Sequence, residues 1–63
     1  MPIVQITLME GRDEEKKARL IHEVTEAVHK AIGAPRENVR VILYEVKKTE
    51  FGIGGKSAAE LGR

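Results

Sequence analysis

Cysteine and tryptophan are both absent from this chain. Without cysteine there is no disulfide framework and no thiolate metal site. The aromatic residues are one tyrosine and one phenylalanine, too few for a platform on which bases stack. Neither sign of charge is in excess: 11 basic residues are interspersed with 10 acidic ones, for a net charge of +1. That balance argues against a nucleic-acid partner. No apolar run approaches the ~20 residues of a membrane span, and no signal-peptide pattern is visible. The expectation is a soluble cytoplasmic protein whose partners are neither nucleic acid nor membrane.

The chain has 63 residues, so it reads as one domain, 1–63, and a marginal one. At about 25 cal/mol per Å², burial during folding contributes on the order of 90 kcal/mol. Ordering every residue costs on the order of 95 kcal/mol. With no disulfide to help, the remaining route to stability is association with further copies of the chain.

Ile3 to Met9 reads as a strand. Val4, Ile6 and Leu8 alternate with Ile3, Gln5, Thr7 and Met9. Glu10-Gly11-Arg12 is a turn, and Asp13 is a good N-cap, with Glu14 and Glu15 favoured by the dipole of the following helix. Leu20, Ile21, Val24, Ala27, Val28, Ala31 and Ile32 recur at helical spacing. Gly33 and Pro35 end that helix of about twenty residues. Pro35 to Asn38 is a turn, and Val39 to Val46 is a second strand. This strand is apolar on both faces, so both faces need a cover. A single helix can cover only one of them. Strand, helix and strand form a βαβ unit with parallel strands and a right-handed crossover. Phe51-Gly52-Ile53-Gly54-Gly55 is glycine-dense and suits a tight hairpin.

Four positions carry chemistry. Pro2 follows Met1, and trimming of that methionine would leave a free secondary amine. An unperturbed α-amino group titrates near pH ~8, and apolar or cationic surroundings lower that value toward a general base at neutral pH. If Met1 were retained, the nitrogen would be an amide and no base. Pro2 is otherwise a start-site residue tolerated at a strand edge. Arg40 lies in the second strand beside Ile42 and Tyr44, where a guanidinium is costly unless it meets an anion. Arg12 follows the first strand. Each arginine either binds a carboxylate in two-pronged fashion or pairs with an acid such as Glu10 or Glu45. Phe51 either packs in the tail or shields a site from water.

Two other patterns carry less. His22 and His29 fall on the side of the helix away from its apolar stripe, which fits solvated surface residues better than metal ligands. Gly55-Lys56-Ser57 imitates the end of a phosphate-binding loop, but Glu50 stands where that loop needs glycine.

In order and at these spacings, several segments make the chain resemble the 4-oxalocrotonate tautomerase family. They are Pro2-Ile3-Val4-Gln5-Ile6, Leu8-Met9-Glu10-Gly11-Arg12, Ala34-Pro35, Val39-Arg40-Val41-Ile42 and Phe51-Gly52-Ile53-Gly54-Gly55. The resemblance runs end to end and implies a cofactor-independent isomerase with no metal. Its catalytic proline falls on Pro2, its substrate-binding arginines on Arg12 and Arg40, and its active-site aromatic on Phe51. It implies an α/β (α+β) tautomerase fold: one βαβ unit with a C-terminal hairpin. Two units join in a four-stranded sheet with both helices on one face, and three such dimers form a homohexamer. The implied substrate is a small unsaturated keto or enol dicarboxylate of the 2-hydroxymuconate or 4-oxalocrotonate type, met in aromatic-compound breakdown. Two alternatives stand beside it. One is proline-dependent hydration or dehalogenation of unsaturated acids, and the other is a non-enzymatic oligomeric binding module that keeps Met1.

Overall fold

Strand β1 (Ile3–Met9) leads into helix α1 (Glu14–Ile32), a 3-10 turn (Arg36–Asn38) and strand β2 (Arg40–Val46) in the computed structural model, which describes residues 1–63. A second 3-10 turn (Lys48–Glu50) then precedes the two-residue strands β3 (Gly52–Ile53) and β4 (Lys56–Ser57). β1 and β2 are parallel, in register from Ile3↔Arg40 to Met9↔Val46. The ladder is extended at one end by Arg40 N–H donating to Pro2 O (3.0 Å) and at the other by Glu10 N–H donating to Val46 O (2.9 Å). The expected βαβ unit is therefore present.

α1 begins and ends where its capping residues stand. The Asp13 carboxylate accepts the Lys16 N–H at 2.8 Å, satisfying an otherwise orphaned donor, with Glu14 and Glu15 in the first turn. At the other end Gly33 takes φ 74°, a conformation costly for residues with a Cβ, and its N–H returns to His29 O at 2.9 Å. β2 starts at Arg40, one residue later than expected. Val39 instead closes the 3-10 turn by donating to Arg36 O, and its side chain is buried against the unit.

Strand alternation decides what the helix covers. Lys17 of α1 reaches Glu45 at 3.1 Å, so the helix side of β2 carries Glu45, Leu43 and Val41. Through the register it also carries Val4, Ile6 and Leu8, all half-buried. The opposite face displays Ile3, Gln5, Thr7, Arg40, Ile42 and Tyr44, all exposed. Here Gln5 Nε2 donates to the Tyr44 hydroxyl at 3.2 Å. The second apolar face predicted for β2 is thus bare in the single chain.

Residues 47–63 form an arm. Gly54 and Gly55, with φ of 61° and 91°, make the two-residue turn of a hairpin that pairs Gly52 with Ser57 and Ile53 with Lys56. A reciprocal capping box follows: Ser57 N–H donates to Glu60 Oε1 (3.0 Å) and Glu60 N–H to Ser57 Oγ (3.1 Å). The Ser57 backbone N–H, and next its hydroxyl, hold the Glu60 carboxyl below its usual range. Gly62 at φ 72° ends this single turn in a Schellman motif, with Arg63 N–H on Ala58 O and Gly62 N–H on Ala59 O.

The chain extends over 42 × 24 × 14 Å with a radius of gyration of 14.6 Å. A compact chain of this length has about 11 Å. Its exposed surface is 4842 Å², where a folded monomer of this mass exposes about 4,000 Å². Only Val39 and Ala58 are buried hydrophobic residues.

Candidate active site

The parallel ladder sorts the four candidate residues into two pairs. Pro2 and Arg40 are neighbours at the amino ends of the strands, joined by the Arg40 N–H to Pro2 O bond. Pro2 is half-buried, whereas Met1 is 80% exposed. Arg12 and Phe51 lie beyond the carboxyl ends. The Arg12 guanidinium folds back to donate to Met9 O at 3.2 Å. Phe51 follows the second 3-10 turn, half-buried, and its carbonyl accepts from Ala58 N–H. Seven strand steps of about 3.3 Å separate the two ends by roughly 20 Å. One chain therefore does not bring Pro2 and Arg12 together.

Neither arginine is neutralised. Ion pairs to Glu10 or Glu45 were the alternative role for both. Instead Lys17 takes Glu45 at 3.1 Å and Glu14 at 2.9 Å. The contacts with Glu14, and next Glu45, raise the Lys17 pKa. Glu10 Oε2 accepts the backbone N–H of Lys48 at 3.3 Å, tying the end of β1 to the start of the arm. Arg40 Nη1 donates to a backbone carbonyl, Glu37 O, at 2.6 Å. Both guanidinium groups retain donors and a full positive charge for an external anion.

Three contacts near Arg40 were not foreseen from sequence. Arg36 Nε donates to Glu26 Oε2 at 2.7 Å and Arg36 Nη2 to Glu26 Oε1 at 3.0 Å, a two-pronged bridge from the 3-10 turn to α1. It lowers the Glu26 pKa and raises that of Arg36. His29 is no solvated surface residue: it is half-buried, with Nδ1 2.8 Å from Ala34 O at the helix exit. His22 is exposed as expected. Glu26 and Arg36 are ten residues apart, across a helix end, and no local spacing rule joins them.

The chain's one concave pocket, about 450 Å³ and open, lies between α1 and β2. Glu14, Lys17, Ala18, Ile21, Leu43 and Glu45 line it. None of the four candidate residues is among them, so a site built on Pro2 is not a ready-made cavity of the isolated chain. Lys56 and Ser57 form β4 of the hairpin, not a phosphate loop. No three His, Asp or Glu side chains gather in a group able to hold a metal ion. No helix is long and apolar enough to cross a membrane.

A parallel βαβ unit followed by a glycine-turned hairpin, with two unpaired arginines, is the architecture of a small tautomerase. Residues 2–60 match the sequence model of the tautomerase enzyme family. The chain is 52% identical to a 2-hydroxymuconate tautomerase of Stutzerimonas stutzeri over the full length of both. It superposes on a solved 4-oxalocrotonate tautomerase isozyme of Methylibium petroleiphilum with a TM-score of 0.93 and 55% identity, covering 98% of this chain and 100% of that one. A heterohexamer 4-oxalocrotonate tautomerase from Chloroflexus aurantiacus is similar at a TM-score of 0.91 and 41% identity, over 97% of this chain and 98% of that one. The chain belongs to the tautomerase family, on its 4-oxalocrotonate tautomerase side, and is an isomerase.

Proposed function

We propose that this enzyme moves a proton within a small unsaturated keto or enol dicarboxylate of the 2-hydroxymuconate type, with the nitrogen of Pro2 as general base. The observation that carries this is the adjacency of Pro2 to Arg40, whose charge no carboxylate of the chain compensates. Removal of exposed Met1 makes the nitrogen a secondary amine. That amine takes the enol proton and returns it to carbon, so the enol becomes an α,β-unsaturated ketone with no net change in composition. Charge builds on the substrate oxygen between the two transfers. A guanidinium fixed near that oxygen stabilises the intermediate more than the neutral ground state, which lowers the barrier. Arg40 and Arg12 hold the two carboxylate ends. Phe51 excludes water, strengthening these interactions and keeping the amine neutral at working pH.

The scheme requires more than one copy of the chain. Arg12 reaches a Pro2 only from a neighbouring protomer, because its own Pro2 is roughly 20 Å away along the strand, and Phe51 of the arm joins it there. The bare sheet face and the extended arm supply the surfaces for that contact. Two units joined in a four-stranded sheet, and three such dimers in a homohexamer, are the assembly we assign, with residues 1–63 acting as one domain.

Two measurements test the proposal. Intact-mass analysis should show loss of one methionine. Pro2→Ala should lower kcat/KM for 2-hydroxymuconate by about a hundredfold or more, the scale of a lost general base. Retained methionine, or full activity without the proline ring, would overturn it.

A further inference from the structure

The Arg40 side chain is held from behind. Its Nη1 donates to Glu37 O, the carbonyl of a residue inside the 3-10 turn Arg36–Asn38. That turn has no side-chain cap of its own. The side chain that anchors it is Arg36, through two parallel bonds to Glu26 on α1. The His29–Ala34 contact steadies the segment between. A chain of contacts therefore runs from Glu26 through Arg36 and the Glu37 carbonyl to the Arg40 guanidinium.

An exposed ion pair adds little to stability, and these side chains are 58% and 36% exposed. Its two-pronged geometry does something else: it fixes the orientation of the turn. Two bonds between planar groups remove the swivel that a single contact permits. We infer that Glu26 and Arg36 are positioning residues, a clamp that sets the 3-10 turn so that the Glu37 carbonyl aims Arg40 at the substrate. This inference rests on the assignment of Arg40 as a substrate ligand. It adds residues that do not touch substrate themselves.

The test is a double-mutant cycle on the full-length enzyme with 2-hydroxymuconate. Glu26→Gln and Arg36→Gln should each lower kcat/KM about tenfold, the scale of a misplaced binding group. Melting temperatures should stay within about 2 °C of the parent. Arg36→Lys, which cannot make both bonds, should fall between Arg36→Gln and the parent. In an Arg40→Ala background Glu26→Gln should have no further effect, because there is no guanidinium left to aim. Equal losses in both backgrounds, or no loss in the parent, would overturn the clamp. If Arg40→Ala itself costs less than about threefold, the role of Arg40 fails. If Arg40→Ala is crippled while Glu26→Gln is not, the clamp alone fails.

Discussion

The βαβ unit, residues 3–46, and the arm, residues 47–63, are built on different terms. The unit is held by a parallel ladder, a capped helix and a half-buried layer between them. The arm is held by turns: a glycine pair, a capping box and a Schellman motif, with strands of two residues each. Its bonds are mainly to itself, apart from links such as Lys48 N–H to Glu10. The unit can place Pro2 and Arg40 without help. Phe51 belongs to the arm and Arg12 to the far end of the sheet, so in the proposed scheme both reach Pro2 from a neighbouring protomer. In that scheme, one chain supplies Pro2 beside Arg40, and the contact between chains completes the site.

The comparison predicts a graded series of effects. The largest falls on the arginines. Arg40→Ala and Arg12→Ala should each reduce kcat/KM for a dicarboxylate enol by about a hundredfold, the scale of losing one preorganised electrostatic partner. A loss under about threefold for both would remove them from the site.

The next effect separates arm from unit. A Cβ on Gly54 would meet no atom within 4 Å, so a substitution there acts only through the positive φ. Gly54→Val should destabilise the hairpin by about 1–3 kcal/mol. In sedimentation it should weaken assembly while the far-ultraviolet helix signal is kept. An unchanged sedimentation profile would show that assembly does not use the arm.

Asp13→Ala makes the converse cut. Loss of the N-cap should cost about 1 kcal/mol and lower the melting temperature by a few degrees, with turnover at 25 °C unaltered. A matching loss of turnover would mean that the helix start bears on the site.

The smallest effect is acid sensitivity. Glu26 and Glu60 both titrate below the ordinary value of 4.5 in the folded chain, Glu26 through Arg36 and Glu60 through Ser57. Their contribution to stability is complete above that value and is lost as pH falls through the depressed ones. Melting temperature should therefore be insensitive to these groups from pH 8 to 5, and the double variant Glu26→Gln/Glu60→Gln should fall less steeply below about pH 4.5.

Much of the unit was legible in the sequence because its signals are local. The period of two over Ile3–Met9, the cap at Asp13 and the stop at Gly33 each act within a few residues, and the observed bounds follow them. The start of β2 was misplaced by one residue, since Val39 is apolar like the strand but is recruited to close a 3-10 turn. The hairpin was legible at Gly54-Gly55. The capping box at Ser57 and Glu60 went unread, although its three-residue spacing is a recognisable signal. His29 was misassigned because helical phase alone does not reveal the Ala34 carbonyl beyond the helix end. The Glu26–Arg36 bridge depends on how the chain turns after Gly33, which no residue spacing encodes. The identities of Pro2, Arg12, Arg40 and Phe51 were visible from the start. Their division between two ends of the sheet emerged only from the parallel register.

Co-expression of Pro2→Ala and Arg12→Ala chains tests that division directly. Each variant alone should be nearly inactive, but in a two-fold pair of unlike chains one site should have both residues mutated and the other both intact. Random pairing should therefore return about a quarter of the parent's activity. A mixture no more active than its two components would contradict a site completed across chains, and would require Pro2 and Arg12 to act within one.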